Sequence, residues 1–313
     1  MRRINICPSL CLHPPRCPVF HESACHGPIH GRAALENYPQ QQDPTRRASP
    51  AASSFFRKIP MCSLSWCRYP DGYEVFFNRD ERKTRGRALP PSESIKDGIR
   101  YLAPRDADAG GTWLLANEFG LTLGLLNYGT ARPLPQPPAA AQSQSRGQWL
   151  LQWACLADAF QLAEALKDHV PWGCGPFTLV AFDRHQKAAP QAWRWNGTDL
   201  RSFRAGLPLC SSSYAPAQVI SSRQASFASL LDHGAEALWR WHSKEDHPSA
   251  ESARMLRTDA QTWCVSRISV GASQAHWLYR EEMPELAAPP IDYQSDLPLR
   301  LAPEISRRAD TAR

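Results

Sequence analysis

Long apolar runs are missing from this chain of 313 residues. No stretch approaches the roughly 20 apolar residues that a membrane-spanning helix needs, so an integral membrane segment is not expected. No apolar run of signal-peptide length follows the arginines at positions 2 and 3. Paired Cys-x-x-Cys motifs are absent as well, which excludes zinc-ribbon spacing. No internal repeat is visible. The chain also lacks a strong charge of one sign once its charge is divided by region. The formal net charge is +6, but residues 1–60 hold eight Lys and Arg against three Asp and Glu, leaving +1 for residues 61–313. A nearly neutral body does not support a basic nucleic-acid patch, and no nucleic-acid partner is expected.

Residues 1–60 differ in kind from the rest. Prolines interrupt "RINICPSLCLHPPRCPVFHESACHGPIHGR", and no helical or strand period is sustained. Cys7, Cys11, Cys17 and Cys25 alternate with His13, His21, His26 and His30, yet without zinc-finger spacing. A disordered extension, or an upstream start ahead of the mature protein, is the expectation for 1–60. The remaining cysteines, Cys62, Cys67, Cys155, Cys174, Cys210 and Cys264, are scattered and several lie in apolar surroundings. That usage points to a reducing compartment and a cytoplasmic location.

From residue 61 the pattern becomes regular. "CSLSWCRY" alternates, Pro70-Asp71-Gly72 is a turn, and "YEVFFN" continues the alternation, which predicts a hairpin over Cys62–Asn78. Residues 79–98 look charged and irregular. Thr112–Asn117 with Leu121–Asn127, Phe177–Asp183 with Gln191–Asn196, and Thr262–Val270 with Ala275–Arg280 read as further strand pairs. Apolar residues at three- and four-residue steps predict one helix over Trp149–His169, ended by Pro171, and another over about Ser222–Trp241. Residues 130–146 read as a loop, and 286–313 as a loose, proline-rich tail. Strand pairs separated by helices, without strict βαβ alternation, predict an α+β fold: two antiparallel sheets face to face with helices outside.

Met61-Cys62 resembles the start of a protein. With the methionine trimmed, Cys62 would carry a thiol nucleophile and a free α-amine. The amine, with a pKa of about 7.7–8.0, suits proton transfer near neutral pH. An internal amide nitrogen has no such basicity.

A cysteine opening a strand, a hairpin ending in Asn78-Arg79-Asp80-Glu81 and the segment "GGTWLLANEFGLTLGLLNYG" resemble the NRDE family, relatives of transport and Golgi organisation proteins. The resemblance covers about residues 61–285. That family is similar to N-terminal-nucleophile hydrolases, particularly the choloylglycine type, which implies a four-layer αββα sandwich. It implies Cys62 as nucleophile and Arg79 as a cation lowering its pKa. It further implies Asp80 as the orienter of the α-amine and Asn127 as an oxyanion donor. Ser212, in "LCSSSY", stands where the hydrolases carry asparagine, a departure that bears on amide hydrolysis. A late arginine should line the site, and Arg257 and Arg267 both qualify.

The implied activity is hydrolysis of an amide through an acyl-thioester, without metal or organic cofactor, on a small-molecule substrate. The alternative is a non-catalytic carrier holding haem or another hydrophobic ligand in the same cleft; oligomeric state is left open. Because residues 1–60 lack periodicity, a chain starting at Met61 should melt at essentially the temperature of the full chain. Scanning calorimetry checks this, and a drop of many degrees would mean that the extension packs on the body.

Overall fold

The computed structural model describes residues 61–129, 143–186, 189–230, 233–244, 247–282 and 289–300. The expectations for residues 1–60, 130–142 and 301–313 fall outside the described residues. Pro70 and Asp71 join β1 (Cys62–Tyr69) to β2 (Gly72–Arg82) in the expected hairpin. β3 (Ala88–Lys96), β4 (Ile99–Asp106), β5 (Leu114–Asn117) and β6 (Leu121–Asn127) follow. Helices α1 (Arg146–Leu151) and α2 (Ala159–Asp168) lead to β7 (Phe177–Asp183), β8 (Gln191–Trp195), β9 (Leu200–Arg204) and β10 (Leu209–Ser211). The chain continues through α3 (Pro216–Ala228), α4 (Gly234–Ser243), β11 (Ala260–Val270), β12 (Gln274–Glu281) and β13 (Ile291–Pro298).

Every strand pairing is antiparallel. One sheet has the order β10-β1-β2-β11-β12-β13, the other β3-β4-β5-β6-β7-β8-β9. Alternation gives each sheet two apolar faces. Leu64, Val75, Phe77 and Ile268 of the first sheet meet Leu114, Leu126, Val180 and Phe182 of the second in a shared core. Leu123, Leu125, Leu179 and Trp195 on the far face of the second sheet pack against Trp149, Trp153, Leu162 and Leu166 of the α1–α2 region. Phe76 and Val265, on the far face of the first sheet, pack against Phe227 of α3 and Leu238 and Trp239 of α4. The result is the four-layer αββα sandwich that the strand order predicts.

The structure corrects several boundaries. Residues 79–98 are not irregular: β2 continues to Arg82, and β3 pairs with β4. Pro90 and Pro91 conceal β3, which is an edge strand and can forgo ladder hydrogen bonds. The helix predicted over Trp149–His169 is two helices. Asp158 starts the second by accepting from Gln161 N at 2.7 Å, while Gln161 Oε1 accepts from Ala157 N at 2.9 Å. The helix predicted over Ser222–Trp241 is also two, and it begins earlier, with Pro216 in the first turn of α3. Gly234, at φ +72°, opens α4. Ile291–Pro298 is not loose tail but the edge strand β13, in which Leu297 is buried.

Candidate active site

The hairpin register sets Cys62 directly opposite Arg79, and on its other side Cys62 faces Ser211 of β10. Cys62 and Phe77 belong to the core between the sheets. Ser63, Ser65, Asn78 and Asp80, at the alternate positions, turn towards the helices. The residue before the cysteine is stitched in. Met61 O accepts from Asp80 N at 3.0 Å, and its side chain is buried with Met255 and Ala260.

Arg79 is buried beside Cys62. It donates to Asp106 Oδ2 at 2.7 Å, lies 3.7 Å from Glu81, and stacks 4.5 Å over the Trp113 ring. Its Nη1 is buried without a hydrogen-bond partner among the described residues. Burial pushes the Asp106 carboxyl up, but Arg85, the Ala109 N–H and Arg79 outweigh it and hold it below its usual value.

The Asp80 carboxylate is fully buried on the helix side of the sheet. Thr262 Oγ1 donates to it at 2.6 Å, and Arg223 Nη2 at 3.1 Å. Arg223 Nη1 also donates to Ser63 Oγ at 2.7 Å. Both members of the Asp80–Arg223 pair are fully buried. Burial raises the Asp80 pKa to about 6, against the pull of Arg223 and Thr262. The expected orienter of the α-nitrogen is thus occupied elsewhere. The Cys62 nitrogen donates instead to Ser211 Oγ at 3.0 Å.

The Cys62 thiol lies well above its usual pKa. Burial is the main cause and Asp80 adds to it, while the Asp80 N–H and Arg79 pull the other way. Arg79 therefore acts in the expected direction but is outweighed while Met61 remains attached.

Cys62, Arg79, Asp80 and Asn127 line one cleft of about 790 Å³, with Trp113 and Arg146 also on its wall. Asn127 comes to it from the end of β6. Ser212 does not line it. Its hydroxyl lies 2.8 Å from Met61 Sδ and bonds with Tyr214. β10 ends at Ser211, and a step of one residue along a strand changes the face. Ser211, not Ser212, therefore meets Cys62. Arg257 Nη1 lies 3.7 Å from Met61 Sδ, and its guanidinium covers the Tyr214 ring at 4.3 Å. Arg267 is far from this chemistry, paired with Glu74 at 2.8 Å and Glu236 at 2.6 Å. Neither arginine lines the cleft.

Asn78 serves the scaffold. Its Nδ2 donates to His242 O at 2.9 Å and Ala253 O at 2.8 Å, which leaves Oδ1 as acceptor. His242 Nδ1 therefore carries the proton towards Oδ1, at 2.5 Å, and Nε2 accepts from Ser65 at 2.7 Å. Burial, then Arg223, lowers the His242 pKa to about 3 and keeps the ring neutral.

Fold and site together define an αββα sandwich with a buried cysteine among the residues that line a cleft. The chain belongs to the Transport and Golgi organisation 2 family, whose model matches residues 61–280. No curated protein matches it in sequence. It is similar to the solved structure of penicillin V acylase from Agrobacterium tumefaciens, at 11% identity and a TM-score of 0.49, over 75% of this chain and 86% of that one. It is also similar to a variant of conjugated bile acid hydrolase from Clostridium perfringens, at 11% identity and a TM-score of 0.45, over 78% and 100% of the two chains. A third is the Caenorhabditis elegans ortholog of N-acylethanolamine-hydrolyzing acid amidase, at 9% identity and a TM-score of 0.46, over 66% and 92%. Among the described residues, no helix is long and apolar enough to cross a membrane.

Replacing Arg223 by methionine should cost about 3–5 kcal/mol near neutral pH, because it strands the Asp80 charge in the core. Asp80 already binds its proton more tightly folded than unfolded, so its contribution is greatest at low pH and is lost as pH rises through about 6. Losing Arg223 pushes that pKa higher still. The variant's deficit should therefore shrink as pH falls from about 7 to about 5. The His242 effect runs oppositely in the native chain; Arg223 also lowers the His242 pKa, so its loss eases that acid penalty in the variant and works in the same direction as Asp80. Urea denaturation at the two pH values measures the difference, and a constant deficit would contradict this electrostatic account.

Proposed function

We propose that the protein is an N-terminal cysteine hydrolase acting on amides, active once residues 1–61 are removed. The observation that carries this reading is the setting of Cys62. It shares one cleft with Arg79 and Asn127, and its backbone nitrogen is held by Ser211 Oγ at 3.0 Å. Removing Met61 turns that nitrogen into an amine and frees the Asp80 N–H from Met61 O. It also gives Ser212 and Arg257, which now touch the Met61 sulfur, access to the vacated space.

In the proposed reaction the α-amine takes the thiol proton as sulfur attacks the amide carbonyl. Arg79 supports the thiolate. The tetrahedral oxyanion accepts from the Asn127 amide, a contact of a kind worth about 2.7–4 kcal/mol. Collapse breaks the C–N bond, and the α-ammonium returns its proton to the leaving amine. Water, deprotonated by the α-amine, then opens the thioester and releases the acid, restoring the thiol. Asp80 acts from behind the strand as a positioning residue, through Arg223 and Thr262. The free cysteines suit a reducing, cytoplasmic setting. A haem or hydrophobic-ligand carrier finds less support, because arginines and carboxylates recur along the cleft wall.

A chain whose first residue is Cys62 should hydrolyse members of a panel of N-acyl p-nitroanilides and accumulate an acyl adduct on Cys62, detected by mass spectrometry. Cys62→Ala and the full chain should do neither. Equal activity of the full chain and the Cys62-first chain would overturn the role of the amine, and inactivity of both would overturn hydrolysis of this substrate class.

A further inference from the structure

Four carboxylates on the cleft wall already face arginines. Asp106 lies 2.7 Å from Arg79 and 2.9 Å from Arg85. Glu81 is 3.7 Å from Arg79, and Asp108 is 3.7 Å from Arg85. Asp80 is paired behind the wall with Arg223. Arg146 differs from these arginines. Its Nη1 donates to Pro176 O at 3.0 Å, and no carboxylate among the described residues pairs with it. Arg146 is half-buried and lines the cleft.

The base of Arg146 is fixed by its neighbours. A Cβ on Gly111 would come within 2.5 Å of Gly147 C, so the two glycine backbones lie in direct contact. Thr112 N donates to Gly147 O at 3.3 Å, and the following Trp149 and Leu150 are buried in the core. On the far side Gly175 lies beside the guanidinium, where a Cβ would make ordinary van der Waals contact with Arg146 Nη1 at 3.6 Å. Burial works against the cation, while Cys174, Cys62 and Glu81 favour it. A cation held at its base on the cleft wall, with no carboxylate in ion-pair contact among the described residues, is prepared for an anion. Its planar fork matches a carboxylate with two parallel hydrogen bonds.

We propose that Arg146 is a specificity-determining residue that pairs with a carboxylate on the ligand occupying the cleft. The preferred amides are then negatively charged ones. This rests on the cleft being the ligand site, as in the function proposed above, but not on turnover.

The test uses the full chain, in which Met61 blocks the amine and no probe is consumed. Binding of N-hexanoylglycine and of neutral N-hexanoylglycinamide is measured by calorimetry at low salt. The charged probe should bind at least about tenfold more tightly, and the preference should weaken as salt screens it. Arg146→Gln should bring the two affinities together, mainly by weakening binding of the charged probe, and Arg146→Lys should restore part of the preference. If Arg146→Gln fails to fold by circular dichroism, the salt series on the native chain and Arg146→Lys carry the test. Equal affinities, a preference that survives in Arg146→Gln, or no binding of either probe would overturn the assignment. A native chain with the preference, whose Cys62-first form turns over no amide, would keep Arg146 as the anion contact and remove the hydrolase reading.

Discussion

Asp80 and Arg223 are opposite charges with no access to water, 3.1 Å apart. Leaving either alone would cost several kcal/mol, so the elements that carry them must stay together. Asp80 fixes β2, Arg223 fixes α3, Thr262 ties in β11 and Ser63 ties in β1. The helix layer is thereby locked to the sheet immediately behind Cys62. The Asn78–His242–Ser65 network does the same for α4 one step along the hairpin. Buried polar networks of this kind favour one register over its slipped alternatives, and register is what the candidate site requires.

Under the proposed function the same geometry has two chemical states. With Met61 attached, the Cys62 nitrogen is an amide, and burial holds the thiol well above its usual pKa. Arg79 is beside the thiol but divides its charge between Asp106, Glu81 and the Trp113 face. Removal of the preceding residue would supply the base that the proposed reaction needs. It also opens the apolar space now filled by the Met61 side chain against Met255 and Ala260. The proposed activity thus depends on one peptide bond more than on any rearrangement of the fold.

The strands legible in the sequence were those with strict alternation between turn residues, as in β1, β2, β11 and β12. β3 and β13 escaped because edge strands tolerate proline and expose much of their length. The helix breaks were hidden because the apolar spacing runs on across them, and capping by Asp158 decides the second start. The ordered motifs did pick out Cys62, Arg79 and Asn127, which the fold brings to one cleft. Ser211 was missed in favour of Ser212 because the short strand β10 has too little pattern to fix its register. Arg223 was missed although a signal existed: Val219, Arg223 and Phe227 recur every four residues along the buried stripe of α3. A cation inside an apolar stripe points to a buried partner.

The central claim is that freeing the Cys62 amine converts a masked thiol into a nucleophile. The most direct measurement is the rate of iodoacetamide labelling at Cys62, followed by peptide mass spectrometry as a function of pH, in chains beginning at Met61 and at Cys62. The account predicts slow labelling near neutral pH for a chain that keeps Met61 and much faster labelling when Cys62 is first. Equal rates in the two chains across that pH range would contradict it.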